Sequence, residues 1–223
     1  MKCILKTGWF AVTILVFTAC KGQSGNQQPA EAEKTAANQP VGGYCEGCEL
    51  IYAGMPATMA ALDTSVGWAE PGQKLLVRGT VYKRDGKTPA PDVILYYYHT
   101  DNNGYYSPGP GMPEKAKRHG HIRGWVKTGA DGRYAIYTIR PAPYPNRQAQ
   151  AHIHPVIKEP DIENEYYIDE WVFDDDPLLT TEIRRKMENR GGNGIMKVRT
   201  SGDLQIAERD IILGLNVPDY PQH

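Results

Sequence analysis

Phenylalanine is nearly missing from this chain, with 3 residues in 223 against 14 tyrosines. A core built mainly on phenyl rings is thereby excluded. The aromatic surface carries hydroxyls instead, which suits strands that are polar on one side and leaves phenols available for chemistry. An excess of charge of one sign is lacking too: 25 Lys and Arg against 26 Asp and Glu leave a formal net charge of −1. No basic run interleaved with aromatics occurs, which speaks against a nucleic-acid partner. The apolar run from Trp9 to Ala19 is too short to span a bilayer. There is no internal repeat, and the length suits one ordinary domain with its own core rather than two.

What is present begins with an address label. "MKCILKTGWFAVTILVFTACKGQ" places Lys2 and Lys6 ahead of the apolar run and small residues ahead of Cys20, the layout of an export signal. With cysteine directly after "FTA", residues 1–20 resemble a bacterial lipoprotein signal, in which Cys20 becomes the lipidated first residue. The expectation is an exported, cell-envelope protein anchored to the membrane through lipid on Cys20; a plain cleaved secretory peptide is the alternative. Residues 21–43 lack aromatics and, Val41 apart, branched apolar residues, so they read as a flexible tether ahead of a domain at 44–223. Cys45 and Cys48 are then the thiols left in the domain. In an oxidising compartment a local disulfide is expected of them, with zinc shared across a dimer or a redox pair as the other readings.

From Lys74 onward the pattern is that of strands. "KLLVRGTVYK", "VILYYYHT", "GHIRGWVKT", "GRYAIYTIRP", "AHIHPVIKE" and "EYYIDEWVF" are rich in β-branched and aromatic residues and are separated by Gly/Pro/Asp turns. The turn "GADG" predicts that its two flanking strands pair as a hairpin. "PLLTTEIRRKMENRGG" alone has helical character, opening at Pro177 and stopping at Gly191. Many short strands and little helix predict an all-β sandwich or barrel.

His152 and His154 are one residue apart, so on a strand both imidazoles project to the same face and can reach one metal ion. Tyr144 lies eight residues before His152, braced by prolines in "APYPN". A phenol with an ordinary pKa of about 10 is anionic at neutral pH mainly when a strong Lewis acid displaces its proton, so tyrosine with histidine favours ferric iron over zinc, calcium or magnesium. His99, His119 and His121 could line a pocket mouth but fall outside the ligand motif and read as not directly involved, Trp125 reads as core, and "DDD" at 174–176 as a solvated turn rather than a calcium site.

"GTVYKRDGKTPAPDVILYYYHTDNNGYY", "GADGRYAIY", "TIRPAPYPN" and "AHIH", in that order, together with the later "RDIILGLNVPDY", resemble the intradiol ring-cleavage dioxygenases, the family of catechol 1,2- and protocatechuate 3,4-dioxygenases. The resemblance implies an all-β β-sandwich of the intradiol type holding a mononuclear non-haem Fe(3+) by Tyr106, Tyr144, His152 and His154. Tyr105 is the rival of Tyr106 for the first tyrosine. It implies as reactants a catechol-type substrate and O2, cleaved to a cis,cis-muconate-type diacid, with Tyr106 as the ligand that gives way and accepts a substrate proton. It leaves room for a homodimer, although the helical N-terminal segment typical of catechol dioxygenases has no counterpart. Two departures stand out. Ala149 occupies the position, three before His152, where the family commonly has an arginine, which leaves Arg147 and Gln150 as nearby substitutes. Tyr96 stands where an acidic residue is common. These departures motivate the alternative of a catalytically altered, lipid-anchored β-sandwich binding module.

Overall fold

A computed structural model of the protein describes residues 40–146 and 148–222. The signal-like segment, all of the tether before Pro40, and Arg147 lie outside the described residues. Val41 and Gly42 already belong to the fold: Val41 N donates to Asn164 Oδ1 at 3.1 Å and Gly42 N to the Pro218 carbonyl at 2.8 Å.

Two mixed sheets carry the architecture. The first comprises β1 (Leu62–Thr64), β2 (Lys74–Tyr82), β5 (Arg133–Ile139), β10 (Val198–Ser201), β11 (Leu204–Glu208) and β12 (Ile211–Ile212), in the order β1-β5-β2-β11-β10 with β12 also on β2. The second comprises β3 (Ile94–His99), β4 (Arg123–Lys127), β6 (His152–Lys158), β7 (Tyr166–Tyr167), β8 (Trp171–Phe173) and β9 (Ile195–Met196), in the order β4-β3-β6-β8-β9 with β7 also on β6. Alternation along each strand sorts side chains between two hydrophobic layers. Leu75 and Val77 of β2, Tyr134 and Ile136 of β5, Leu95 and Tyr97 of β3, and Ile153 and Ile157 of β6 form the layer between the sheets. Tyr96 of β3 and Val156 of β6 point the other way, into a smaller cluster covered by Cys48 and Ile51.

That outer cover is a short 3-10 segment, Cys48–Tyr52, closed at its start by a Cys45–Cys48 disulfide. It is fastened to the sheet by Trp125 Nε1 donating to the Ile51 carbonyl at 2.7 Å and by Arg123 donating to the Ala53 carbonyl. Trp125 thus packs under this flap on the outer face, not in the core between the sheets.

Two local expectations need correction. β4 and β5 do not form a hairpin: β4 pairs with β3 and β5 with β1 and β2, so the "GADG" turn carries the chain from one sheet to the other. Turn chemistry reports a reversal, and a reversal at the edge of a sandwich can switch sheets as readily as it can make a ladder. The helix α1 spans only Thr181–Lys186. Thr180 caps it, its hydroxyl accepting from Ile183 N at 3.3 Å, and Met187 leaves the helix with an extended backbone, so the apolar residues before Thr180 and after Lys186 lie outside it.

Candidate metal centre

β6 puts His152 and His154 on the outer face of the second sheet, as the His-x-His spacing requires. Each tyrosine comes from a loop at the end of a neighbouring strand. The loop after β3 is folded around Asp101, whose carboxylate accepts from Asn103 N at 2.8 Å, Tyr105 N at 3.1 Å and the Ser107 hydroxyl at 2.7 Å. Gly104, at φ 85°, lets this loop lie against the Tyr144 loop: a Cβ there would sit 2.2 Å from the Pro143 carbonyl oxygen. Thr100 adds a bond to the Ala142 carbonyl at 2.7 Å, so the two tyrosine-bearing loops are tied together.

The four side chains meet in a closed ring of contacts. Tyr106 Oη lies 3.1 Å from Tyr144 Oη and 2.9 Å from His154 Nε2; Tyr144 Oη lies 3.2 Å from His152 Nε2; and the two Nε2 atoms are 3.1 Å apart. Tyr106 and not Tyr105 reaches this ring, the Tyr105 side chain being exposed. His152 Nδ1 faces the Gln150 carbonyl at 2.7 Å and His154 Nδ1 faces Glu170 Oε1 at 3.4 Å. Both partners are pure acceptors, so in each neutral imidazole the hydrogen belongs on Nδ1 and Nε2 is bare. Two phenol hydrogens then serve four contacts, and none is available between the two facing Nε2 lone pairs. A cation inside the ring satisfies all four donors at once, so these residues fit a metal.

Burial works in the same direction. It pushes the Tyr106 phenol well above its ordinary range, helped by the hydrogen bond and proximity of Tyr144, and holds His154 well below the usual imidazole range, with His152 adding to the effect. Without a cation the tyrosine stays protonated and His154 neutral. A strong Lewis acid is what makes the phenol an anionic ligand.

Glu170 was not found from the sequence. With His152 and His154 it forms a group able to hold a metal ion. Its contact is with Nδ1 of His154, the side of the ring turned away from Tyr106 and His152, so it orients that imidazole through the outer nitrogen. Strand pairing explains its presence: Ile153 is opposite Trp171, which brings the preceding Glu170 alongside His154. Asp176 was read as part of a solvated turn, yet it is buried and accepts from Ala151 N at 2.7 Å, pinning the residue before His152. Asp175 pairs with Arg140 at 2.6 Å.

The other histidines divide. His99 lies between the sheets, bonded to Thr100 O and Thr138 Oγ1, both at 2.8 Å. His121 bonds Glu70 and the Ser107 carbonyl. His119 is closer to the centre: with Tyr98, Tyr106, Arg118, Tyr144 and His154 it lines a recess of about 240 Å³. Its Nδ1 is 2.9 Å from Tyr96 Oη, which also accepts from Arg123 at 3.1 Å; the phenol therefore donates to Nδ1, and the His119 hydrogen sits on Nε2. Tyr98 stacks between His119 and His154, with ring centroids 3.6 and 4.5 Å away. Arg118, half exposed and paired with Glu46 and Glu49, is the cation among the described residues lining this recess; of the two substitutes named for the family arginine, Gln150 is buried with its carbonyl on His152 Nδ1 and Arg147 lies outside the described residues.

Comparison with known proteins bears on the family. The family model described as Dioxygenase matches residues 50–206. Catechol 1,2-dioxygenase 1 of Acinetobacter lwoffii is 33% identical over 95 residues, which is 43% of this chain and 30% of that protein. The chain spans less than half the length of the curated relatives it matches. Among solved structures, the dioxygenase domain of a dioxygenase–carbohydrate-binding fusion from Streptomyces sp. SirexAA-E aligns at TM-score 0.55 and 26% identity, covering 71% of this chain and 91% of that one. Catechol 1,2-dioxygenase from Acinetobacter sp. ADP1 shares the fold at TM-score 0.51 and 20% identity, over 72% of this chain and 58% of that one. With two mixed sheets, a face carrying paired histidines beside two tyrosines, and a family match over most of its folded part, this chain belongs to the intradiol ring-cleavage dioxygenase family.

Proposed function

We propose that the protein is a non-haem Fe(III)-dependent intradiol dioxygenase that cleaves a catechol-type aromatic with O2 to a cis,cis-muconate-type diacid. Tyr106, Tyr144, His152 and His154 would hold the iron. Ferric iron bound there would supply Lewis acidity toward both catechol oxygens, which activates the ring carbons that bear them toward O2. The observation that carries the reading is the closed ring of four donor atoms with too few hydrogens to satisfy it.

The chain's own residues then have distinct tasks. Tyr106 stands on a loop and lines the recess, so its oxygen is placed to leave the donor ring and accept a catechol proton. Tyr144 is held between prolines and the histidines on a strand, so these three keep their positions while Tyr106 moves. His119 lines the same recess, held in place by its Nδ1 contact with Tyr96 Oη at 2.9 Å. Tyr98, stacked on His154, fixes that imidazole's plane. Both atoms of O2 end in the two carboxylates of the product, so the reaction consumes no external reductant.

Export and a lipid anchor on Cys20 belong to the same proposal, and the Cys45–Cys48 disulfide supports an oxidising compartment. Metal analysis and a visible spectrum test the centre: the protein is expected to hold one ferric ion and to absorb in the visible through tyrosinate-to-iron charge transfer, and Tyr144→Phe is expected to remove most of that band. Iron-free, colourless protein after ferric reconstitution would refute it. Oxygen uptake with catechol separates an enzyme from a binding module on the same scaffold, for which Ala149 in the arginine position speaks.

A further inference from the structure

On the far side of His154 from Tyr106 lies a second, larger recess of about 520 Å³, which shares Glu46, Tyr98 and His154 with the first. Its walls come from the disulfide-closed flap on one side and from α1 and the residues after it on the other, and Val156, Ile168, Val172, Ile183 and Met187 make it largely apolar. Its volume lies within the range of about 300–1,000 Å³ that encloses a drug-sized ligand, and exceeds what a bare catechol fills. Its charges are one-sided. Glu46, Asp169, Glu170 and Glu188 line it, and among the described residues Lys186 is the one cation, solvent-exposed and paired with Glu182 at 2.7 Å. Glu170 is the carboxylate nearest the donor ring, with Oε1 3.4 Å from His154 Nδ1.

Resting on the dioxygenase reading above, we propose that this recess is a substituent subsite. It selects catechols that carry an uncharged, apolar alkyl or aryl group, and Glu170 turns away catechols that carry a carboxylate. The ring oxygens occupy the donor-ring side of His154 and Tyr98, and the substituent passes these two residues into the apolar recess. A substrate carboxylate placed there meets this acidic lining, Glu170 foremost, against a single lining cation among the described residues, Lys186, which is already paired with Glu182.

The full-length chain loaded with ferric iron is titrated with catechol, 4-propylcatechol and 3,4-dihydroxybenzoate, and each Kd is read from the change in the visible band. The propyl compound is expected to bind about tenfold or more tightly than catechol, from burial of its three carbons. The carboxylate compound is expected to bind about tenfold more weakly than catechol, from like-charge repulsion at short range. Glu170→Gln should bring the carboxylate compound to within about threefold of catechol, repulsion of no more than about RT then remaining. Met187→Trp, which fills the recess from the α1 side, should reduce the propyl-to-catechol preference. Equal affinities for propylcatechol and catechol, or preferred binding of the carboxylate compound, would overturn the subsite while leaving the dioxygenase reading intact. A chain that takes up no iron would bring down both.

Discussion

Asp176→Asn is the sharpest test of how the histidine strand is held. One carboxylate oxygen of Asp176 accepts from Ala151 N at 2.7 Å and the other from Leu178 N at 2.8 Å. Both Asp176 and Ala151 are buried. Asparagine keeps the shape but has one acceptor oxygen, so whichever way the amide turns, an NH2 group confronts a backbone N–H. A hydrogen bond to a charged group is worth about 1.5–3 kcal/mol, and stranding a buried donor costs about 1–3 kcal/mol. Because these describe partly the same loss, the expected destabilisation is about 3 kcal/mol, a sizeable part of the roughly 5–15 kcal/mol that holds a domain together. For a domain of this size that corresponds to a fall in Tm of about 6–12 °C. The measurement is thermal and urea unfolding of metal-free protein, since a metal bound only by the folded state would mask the loss by mass action. Asp174→Asn is the control: its carboxylate accepts from Val198 N at a longer 3.2 Å, and less than about 1 kcal/mol is expected. A Tm within about 2 °C of wild type for Asp176→Asn, or equal losses for the two variants, would refute the pinning role.

Two further outcomes concern the core. Burial lowers the His99 pKa to about 4, so between the unfolded value of about 6.5 and pH 4 the unfolded chain binds a proton that the folded chain does not. The stability from neutral His99 is therefore complete above about pH 6.5 and falls by about 1.4 kcal/mol per pH unit toward pH 4, a total near 3 kcal/mol. Urea titrations of metal-free protein at several pH values should show this slope, and His99→Gln should flatten it; an unchanged slope in the variant would count against the assignment. Gly79→Ala should cost about 3 kcal/mol or more, because the added Cβ would sit 1.9 Å from the Arg209 carbonyl oxygen, which is backbone and accepts from Tyr134 Oη at 2.6 Å. Gly129→Ala, whose Cβ would meet only Asp131 Oδ1 at 3.3 Å, should be close to neutral in the same urea assay.

What could be read in advance depended on periodicity. Alternation in "AHIH" assigns His152 and His154 to one face whatever the rest of the chain does, and short β-branched runs between turns imply an all-β sandwich or barrel, between which the family resemblance chose the sandwich. The Cys45–Cys48 disulfide was the expected reading of two cysteines three apart if the chain is exported. Glu170 was invisible because its position beside His154 depends on the register between β6 and β8, a pairing across 16 residues that no local pattern announces. Asp176 hid among adjacent carboxylates, of which one holds backbone amides in the interior and another meets Arg140 at the surface. The hairpin expectation failed for a related reason: "GADG" has the same turn chemistry whether the strands beside it share a sheet or face each other across the core.

These differences in legibility follow from where the site sits. Had the histidines faced the space between the sheets, packed strand side chains would have enclosed them, as they do His99, leaving no room for a substrate. On the outer face the cover consists of irregular segments instead: the flap at Cys48–Tyr52, the loops that bear Tyr106 and Tyr144, and the chain around α1. The donor set is therefore fixed largely by strand periodicity and two braced loops, while the shape and charge of the substrate space are set by segments without periodicity. On the proposed function, substitutions in the flap or along α1 should change which catechol is accepted without moving a donor atom. A substitution in β6 or at Asp176 changes the centre before it changes the choice of substrate.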